Sequence, residues 1–279
     1  MLDERQALED IAASAARGEI VFPTHAEMAL RVRRALDNPD TSTEQLAKLI
    51  QAEPLLAARV VGIANSVTYN PSGRSIVDVR SAITRLGFKT LRALATAVVV
   101  RQMEEMSKGP AYRQLATKLW EHTAHVASLA YVIARRVTHQ DPDTAFFAGI
   151  VHEVGGFYLL SRAVDYPGLL ETEIPDWDGD EEAKVGRAVL AVLGVPEPVV
   201  KAIEALWEGM LAMPPETLGD TLLLADQLAP VESPLSKVAG MSREGVGVNI
   251  DVSLDDETLS GILADAAAEV QSLFSALQT

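Results

Sequence analysis

The stretch "TSTEQLAKLIQAEPLLAARVVGIANS", residues 41–66, decides the fold class. Leu46, Leu49 and Ile50 follow helical spacing, and Thr41 with Glu44 has the spacing of a capping box. Pro54 lacks the N–H a helix interior needs, so it interrupts that helix; it suits the first turn of a new one carrying Leu56, Val60 and Ile63. Asn65 and Ser66 then close the second helix. Asn tolerates left-handed backbone, and both side chains can satisfy orphan backbone groups in the loop that follows. The expectation for this pair is structural rather than ligand contact.

The same periodicity extends in both directions. Leu8, Ile11, Ala12 and Ala15 mark an N-terminal helix stopped by Gly18, and "IVFP" (20–23) reads as extended because Phe22 precedes Pro23. A helix follows to about Asp37. "IVDVRSAITRLG" is a further helix closed by Gly87, and "KTLRALATAVVVRQM" another. Long helices are predicted over roughly 111–138 and 142–162, then an acidic loop, then helices near 181–193, 196–208 and 215–229. "SPLSKVAGMSREGVGVNID" reads mostly as loop, and a final helix ends the chain. Runs such as "AVVV" sit inside helical patterns, so no strand is expected. The chain reads as all-α: an N-terminal helix (1–19), a helical lobe (20–108), a second lobe (109–230), and a loop and helix (231–279) packing back on them. "SKGP" (107–110) marks the division between lobes.

The net charge of −15 argues against non-specific binding of nucleic acid by the whole molecule. It is unevenly placed: residues 24–108 carry 12 Lys/Arg against 8 Asp/Glu, residues 109–279 carry 10 against 26. Cysteine is absent, which excludes disulfides, thiolate metal sites and cysteine nucleophiles. The acidic start "MLDERQALED" is unlike a signal peptide, and no apolar run approaches a membrane span, "ALATAVVV" (93–100) being core-sized; the location expected is the cytoplasm. "DWDGDEE" fails as a calcium loop because its sixth position is Glu181, not Gly, and its twelfth Arg187, not Glu. "GVGVN" lacks the third glycine of a dinucleotide fingerprint.

Imidazoles and carboxylates cluster in the second lobe. His122 and His125 lie a turn apart on "LWEHTAHVASLAYVIARR", His152 and Glu153 stand side by side in "VHEVGG" (151–156), and Asp226 interrupts the apolar "LLLADQLAP". Helical bundles build metal sites from such ligands on different helices. Each residue alone also has a plain structural explanation, as a hydrogen-bonded core group.

The segments "FPTHAEMALRVRRALDNPDTSTEQLAKLIQAEPLLAARVVGIANSVTYN", "SIVDVRSAITRLG", "LWEHTAHVA" and "AFFAGIVHEVGG" together resemble the HDOD family, an output module of bacterial signalling proteins. The resemblance runs from about Val21 to Asp226. Its most specific elements are Glu53-Pro54-Leu55, Asn65-Ser66, and Ala82 with Leu86-Gly87; Glu53 stands where the family usually has Asp. That family is related in fold to HD-domain phosphohydrolases, whose ligand pattern is His, then His-Asp, then Asp. The resemblance carries those positions onto His122, His152, Glu153 and Asp226. Glu153 departs from the pattern by one methylene, which moves its carboxylate by about one C–C bond in a site of tighter tolerance. Where relatives often retain histidines, this chain has Glu182, Leu206 and Trp207.

Too few side chains remain for both a metal cage and acid–base chemistry. The expectation is a vestigial site with no catalytic residues and no cofactor, in a non-catalytic signalling module that recognises a signalling protein or a small ligand. Such modules are often attached to receiver domains; this chain carries no receiver pattern and would be free-standing or part of a response regulator. Two alternatives stand beside it. One is metal-dependent phosphohydrolysis by His122, His152, Glu153 and Asp226. The other is a DNA-binding helix-turn-helix in residues 43–66, whose recognition helix offers only Arg59 as a long donor before Asn65.

Overall fold

A computed structural model describes residues 4–20, 26–107, 109–166, 168–170, 180–209, 212, 214–238 and 256–278. The "IVFP" entry beyond Ile20, most of the acidic loop and of "DWDGDEE", and the "GVGVN" stretch lie outside them. The described residues form helices and no strands: α1 (Glu4–Ala16), α2 (Ala26–Asp37), α3 (Thr43–Gln51), α4 (Pro54–Ala64), α5 (Val79–Met106), α6 (Pro110–Ile133), α7 (Pro142–Val151), α8 (Val154–Arg162), α9 (Asp180–Val192), α10 (Glu197–Glu208), α11 (Leu218–Leu228), α12 (Pro234–Val238) and α13 (Asp256–Gln278).

Local chemistry sets most of these boundaries. The capping box of α3 is Ser42 with Gln45, one residue later than Thr41 with Glu44. Pro54 opens α4 as expected, with Glu53 extended before it. Gly87 bends α5 sharply at φ 73°, a backbone conformation that costs glycine little and other residues much. Asn65 ends α4 at φ −95°, so no left-handed cap is used. Its side chain ties the next loop instead: Nδ2 donates to Val61 O (3.1 Å) and Ile76 O (2.6 Å), and Oδ1 accepts from Ile76 N (2.8 Å). Ser66 is buried, but its Oγ has no partner among the described residues. Asn65→Ala is therefore expected to cost about 2 kcal/mol in a urea titration, because three bonds to partly buried backbone are lost together.

Two predicted helices end differently. The helix predicted over 111–138 is regular only to Ile133, and continues as a π-turn over Ala134–Thr138. The one predicted over 142–162 breaks at His152 and Glu153 into α7 and α8. Pro142–Asp165 also has the length and hydropathy of a membrane span, which the sequence reading did not expect; 89% of that window is buried inside the protein. Pro234–Val238, expected to be loop, is the short helix α12.

The lobes share one core. Helix α5 packs on α2, α3 and α4 on one side and on α7 and α8 on the other, while α6 packs on α7, α11 and α13. Trp120 of α6 lies at this seam, with its ring edge-on to Phe157 and the guanidinium groups of Arg59 and Arg101 within 5.5 Å of its centre. A second link is polar: Tyr69 and Thr90 of the first lobe both donate to Asp143 of α7.

Candidate metal centre

Helix breaks and close approaches place the site. At Gly149 an added Cβ would lie 2.5 Å from Cα of Ala127, so α7 runs against α6 nearly backbone to backbone and sets His152 beside His122. At Gly155 an added Cβ would lie 2.8 Å from Glu182 O and 3.1 Å from Gly186 Cα, which brings α9 against α8. Asp226 comes from the last turn of α11.

His122, His152 and Asp226 each offer a ligand atom, and these atoms lie within 4.8 Å of one another. His122 Nε2 is 3.2 Å from His152 Nε2, 3.2 Å from Asp226 Oδ1 and 3.8 Å from Glu153 Oε1. The imidazoles are 0% and 4% exposed. Their other nitrogens fix the tautomers. His122 Nδ1 meets Val231 O and His152 Nδ1 meets Gly149 O, both at 2.8 Å. A carbonyl can only accept, so both Nδ1 atoms carry hydrogen, and in neutral rings both Nε2 atoms would present lone pairs to each other. A proton or a cation between them removes that repulsion.

The charges favour a proton on His122. Burial works against its charge, but the hydrogen bond to Asp226 and the carboxylates of Glu153 and Asp226 outweigh this and raise its pKa above the usual histidine value. His152 goes the other way: burial lowers its pKa and the neighbouring His122 adds to that, over the opposing pull of Glu153. The proton is thus held more readily by His122, between a carboxylate and an imidazole, than by His152.

Glu153 spans two neighbours: Oε1 faces His122, and Oε2 lies toward Glu182. An added Cβ on Gly156 would lie 3.3 Å from Glu153 Oε2 and 3.1 Å from Glu182 Oε1, so glycine leaves the space in which the two carboxyl groups meet. Burial, the Glu153 charge and a hydrogen bond to Glu153 raise the Glu182 pKa well above the carboxylate range. Sequence reasoning marked Glu182 only as a replaced histidine and missed this partnership. Its signal was the glycine set Gly155, Gly156 and Gly186, which permits the helix approach.

Several sequence candidates lie elsewhere. His125 does not join the centre; its ring stacks on Phe274 of α13 at 4.0 Å. Arg59 is 1% exposed against Trp120, so the only long donor of the helix-turn-helix alternative is inside the protein and cannot reach a base edge. Glu53, Pro54, Asn65 and Ser66 belong to the first lobe, away from this centre.

The donor set fits one small cation: two imidazole Nε2 atoms and a carboxylate, with each imidazole oriented by a carbonyl at its far nitrogen. The segment after α11 packs beside the group. Ala229, Ser233 and Leu235 are buried, Val231 O binds His122, and Leu235 presses on Gly156.

Comparisons with known proteins agree with this architecture. A protein from Shewanella amazonensis SB2B, described as a candidate metal-dependent phosphohydrolase, superposes with a TM-score of 0.70 at 21% identity, covering 98% of this chain and 99% of its own. An HDOD domain protein of unknown function from Geobacter sulfurreducens gives 0.59 at 24% identity, over 99% and 98%. A candidate signal transduction protein from Marinobacter aquaeolei VT8 gives 0.58 at 20% identity, over 100% of this chain and 67% of that one. At these identities the likeness is one of fold. An uncharacterized Treponema pallidum (strain Nichols) protein is 24% identical over 201 residues, 65% of this chain, and the aligned region spans only 37% of that protein's length. The HDOD domain model itself matches residues 22–208, more than half of the sequence, and this chain therefore belongs to the HDOD domain family.

Proposed function

We propose that this chain is a non-catalytic, cytoplasmic signal-transduction module that acts by recognising a signalling protein or a small ligand. The observation that carries this reading is the burial of the two imidazoles: His122 and His152 are 0% and 4% exposed, Asp226 is the one member of the three whose side chain is partly open, at 21%, and Glu153 lies beside Glu182. A phosphoester hydrolase needs a metal with a position open to substrate and water, and a group free to move a proton. Membership of the HDOD family and the fold shared with the Marinobacter signal transduction protein support the same reading. Output from a two-component response regulator is one setting in which such a module would work.

The phosphohydrolase alternative draws support from the same three side chains. If the centre takes up a cation, His122, His152 and Asp226 hold it, and it supplies Lewis acidity toward a phosphoester. The test measures hydrolysis of nucleotide and cyclic-dinucleotide phosphoesters with added Mg²⁺, Mn²⁺, Fe²⁺ or Zn²⁺. We expect rates at the level of the blank, unchanged by His152→Ala. Metal-dependent turnover that His152→Ala abolishes would overturn the proposal.

A further inference from the structure

Beside the three grouped ligand atoms of the centre lies a fourth oxygen. Glu153 Oε1 is 3.8 Å from His122 Nε2. That is too long for a hydrogen bond, and near the spacing of two ligands on one metal ion, about 3–3.5 Å for bonds of about 2.1 Å. Glu153 is the N-cap of α8, yet its side chain makes no capping bond. The first N–H groups of a helix are the nearest local use for an oxygen at that position. The Glu153 carboxylate is directed instead at His122 and Glu182.

What holds it there comes from another helix. Glu182 lies in the first turn of α9 and is hydrogen-bonded to Glu153. Gly155 and Gly186 let α9 come against α8, and Gly156 leaves the space where the two carboxyl groups meet. A glutamate is long, and fixing its end costs rotamer freedom. Binding Oε2 to Glu182 meets that cost before any cation arrives. The two imidazoles are treated alike, since each is oriented at its far nitrogen by a carbonyl, Val231 O or Gly149 O. Glu182 does for Glu153 what those carbonyls do for the rings.

Resting on the fit of the donor set above, we infer that Glu182 is a positioning residue that completes a four-ligand site for one divalent transition-metal ion, holding Glu153 Oε2 so that Oε1 joins His122, His152 and Asp226. Imidazole with carboxylate suits Zn²⁺ or a similar ion better than Mg²⁺. The four side chains come from α6, the α7–α8 break and the last turn of α11, so the ion ties these elements together. Four protein ligands fill a tetrahedral ion, as in structural zinc sites, and leave no open position for water and substrate. That accords with the non-catalytic reading.

The test strips the full chain with a chelator and measures Zn²⁺ affinity by competition with a chromophoric chelator at fixed pH. Wild type is expected to take up one Zn²⁺ per chain and to unfold at a higher temperature with it. Glu182→Gln keeps a donor for Glu153 Oε2 and is expected to bind within about threefold of wild type. Glu182→Leu is expected to bind about tenfold more weakly or worse, the usual consequence of removing a ligand's partner. In a Glu153→Ala background the same Glu182→Leu change is expected to have no further effect, because the group it positions is gone. No Zn²⁺ uptake by wild type, equal or tighter binding by Glu182→Leu, or an equal loss in Glu182→Gln overturns the inference. So does a loss that persists in the Glu153→Ala background, which would mark a general structural role. Should Glu182→Leu not fold, Glu182→Asp decides: it withdraws the carboxyl group by about one C–C bond and must weaken binding, and wild-type affinity overturns the inference. Zn²⁺ uptake and phosphoester turnover are separate measurements, so either result can fail without the other.

Discussion

Gly149→Ala is expected to lose about 3 kcal/mol or more of stability, at the upper end of what overpacking costs. The added methyl would sit 2.5 Å from Cα and 2.8 Å from N of Ala127, and backbone atoms cannot step aside as a side-chain tip can. Helix α7 would have to move off α6, carrying His152 away from His122. Urea denaturation followed by circular dichroism measures the loss. Gly62→Ala, whose methyl would meet, among the described residues, a side-chain carbon of Ala276 at 3.9 Å, is the control and should change stability little. Equal stability of Gly149→Ala and wild type would show that the helices do not cross as closely as described.

Trp120→Ala is the second large effect, expected to cost about 3–5 kcal/mol, the usual range for truncating a buried aromatic residue. The ring is fully buried; its loss removes the contact with Phe157 and leaves two guanidinium groups without the π-face they approach. The position also tests the single core. Because Trp120 joins the lobes, the variant should still melt in one transition, at lower denaturant. Separation into two transitions, with one unmoved, would mean that the lobes fold independently.

How far the sequence carried this picture depended on whether local chemistry or distant approach set each feature. Pro54 and Gly87 act within their own few residues, and both boundaries follow from covalent structure. The α3 cap was displaced by one residue because Thr41/Glu44 and Ser42/Gln45 both satisfy the same spacing, and only the backbone conformation chooses between them. The break at His152 was not legible, since the apolar pattern runs unbroken on both sides of it. It arises where α8 turns to meet α9 at Gly155 and Gly186. His122, His152 and Asp226 could be nominated as a group from their residue types and the family resemblance. Their distances, and the pairing of Glu153 with Glu182, depend on helices that the sequence separates by dozens of residues. Helical spacing placed His125 with His122, yet three residues turn a side chain by only five-sixths of a full rotation, and that offset aims His125 at α13.

The apolar helix broken into α7 and α8 has a consequence for synthesis. Residues 142–165 leave the ribosome as a segment with the length and hydropathy of a bilayer helix, and part of its covering layer, α9 to α11, has yet to be translated. Until residue 226 emerges, His152 also lacks the aspartate that completes its neighbourhood. A chain stalled short of that point would expose apolar surface that the later helices bury in the finished protein.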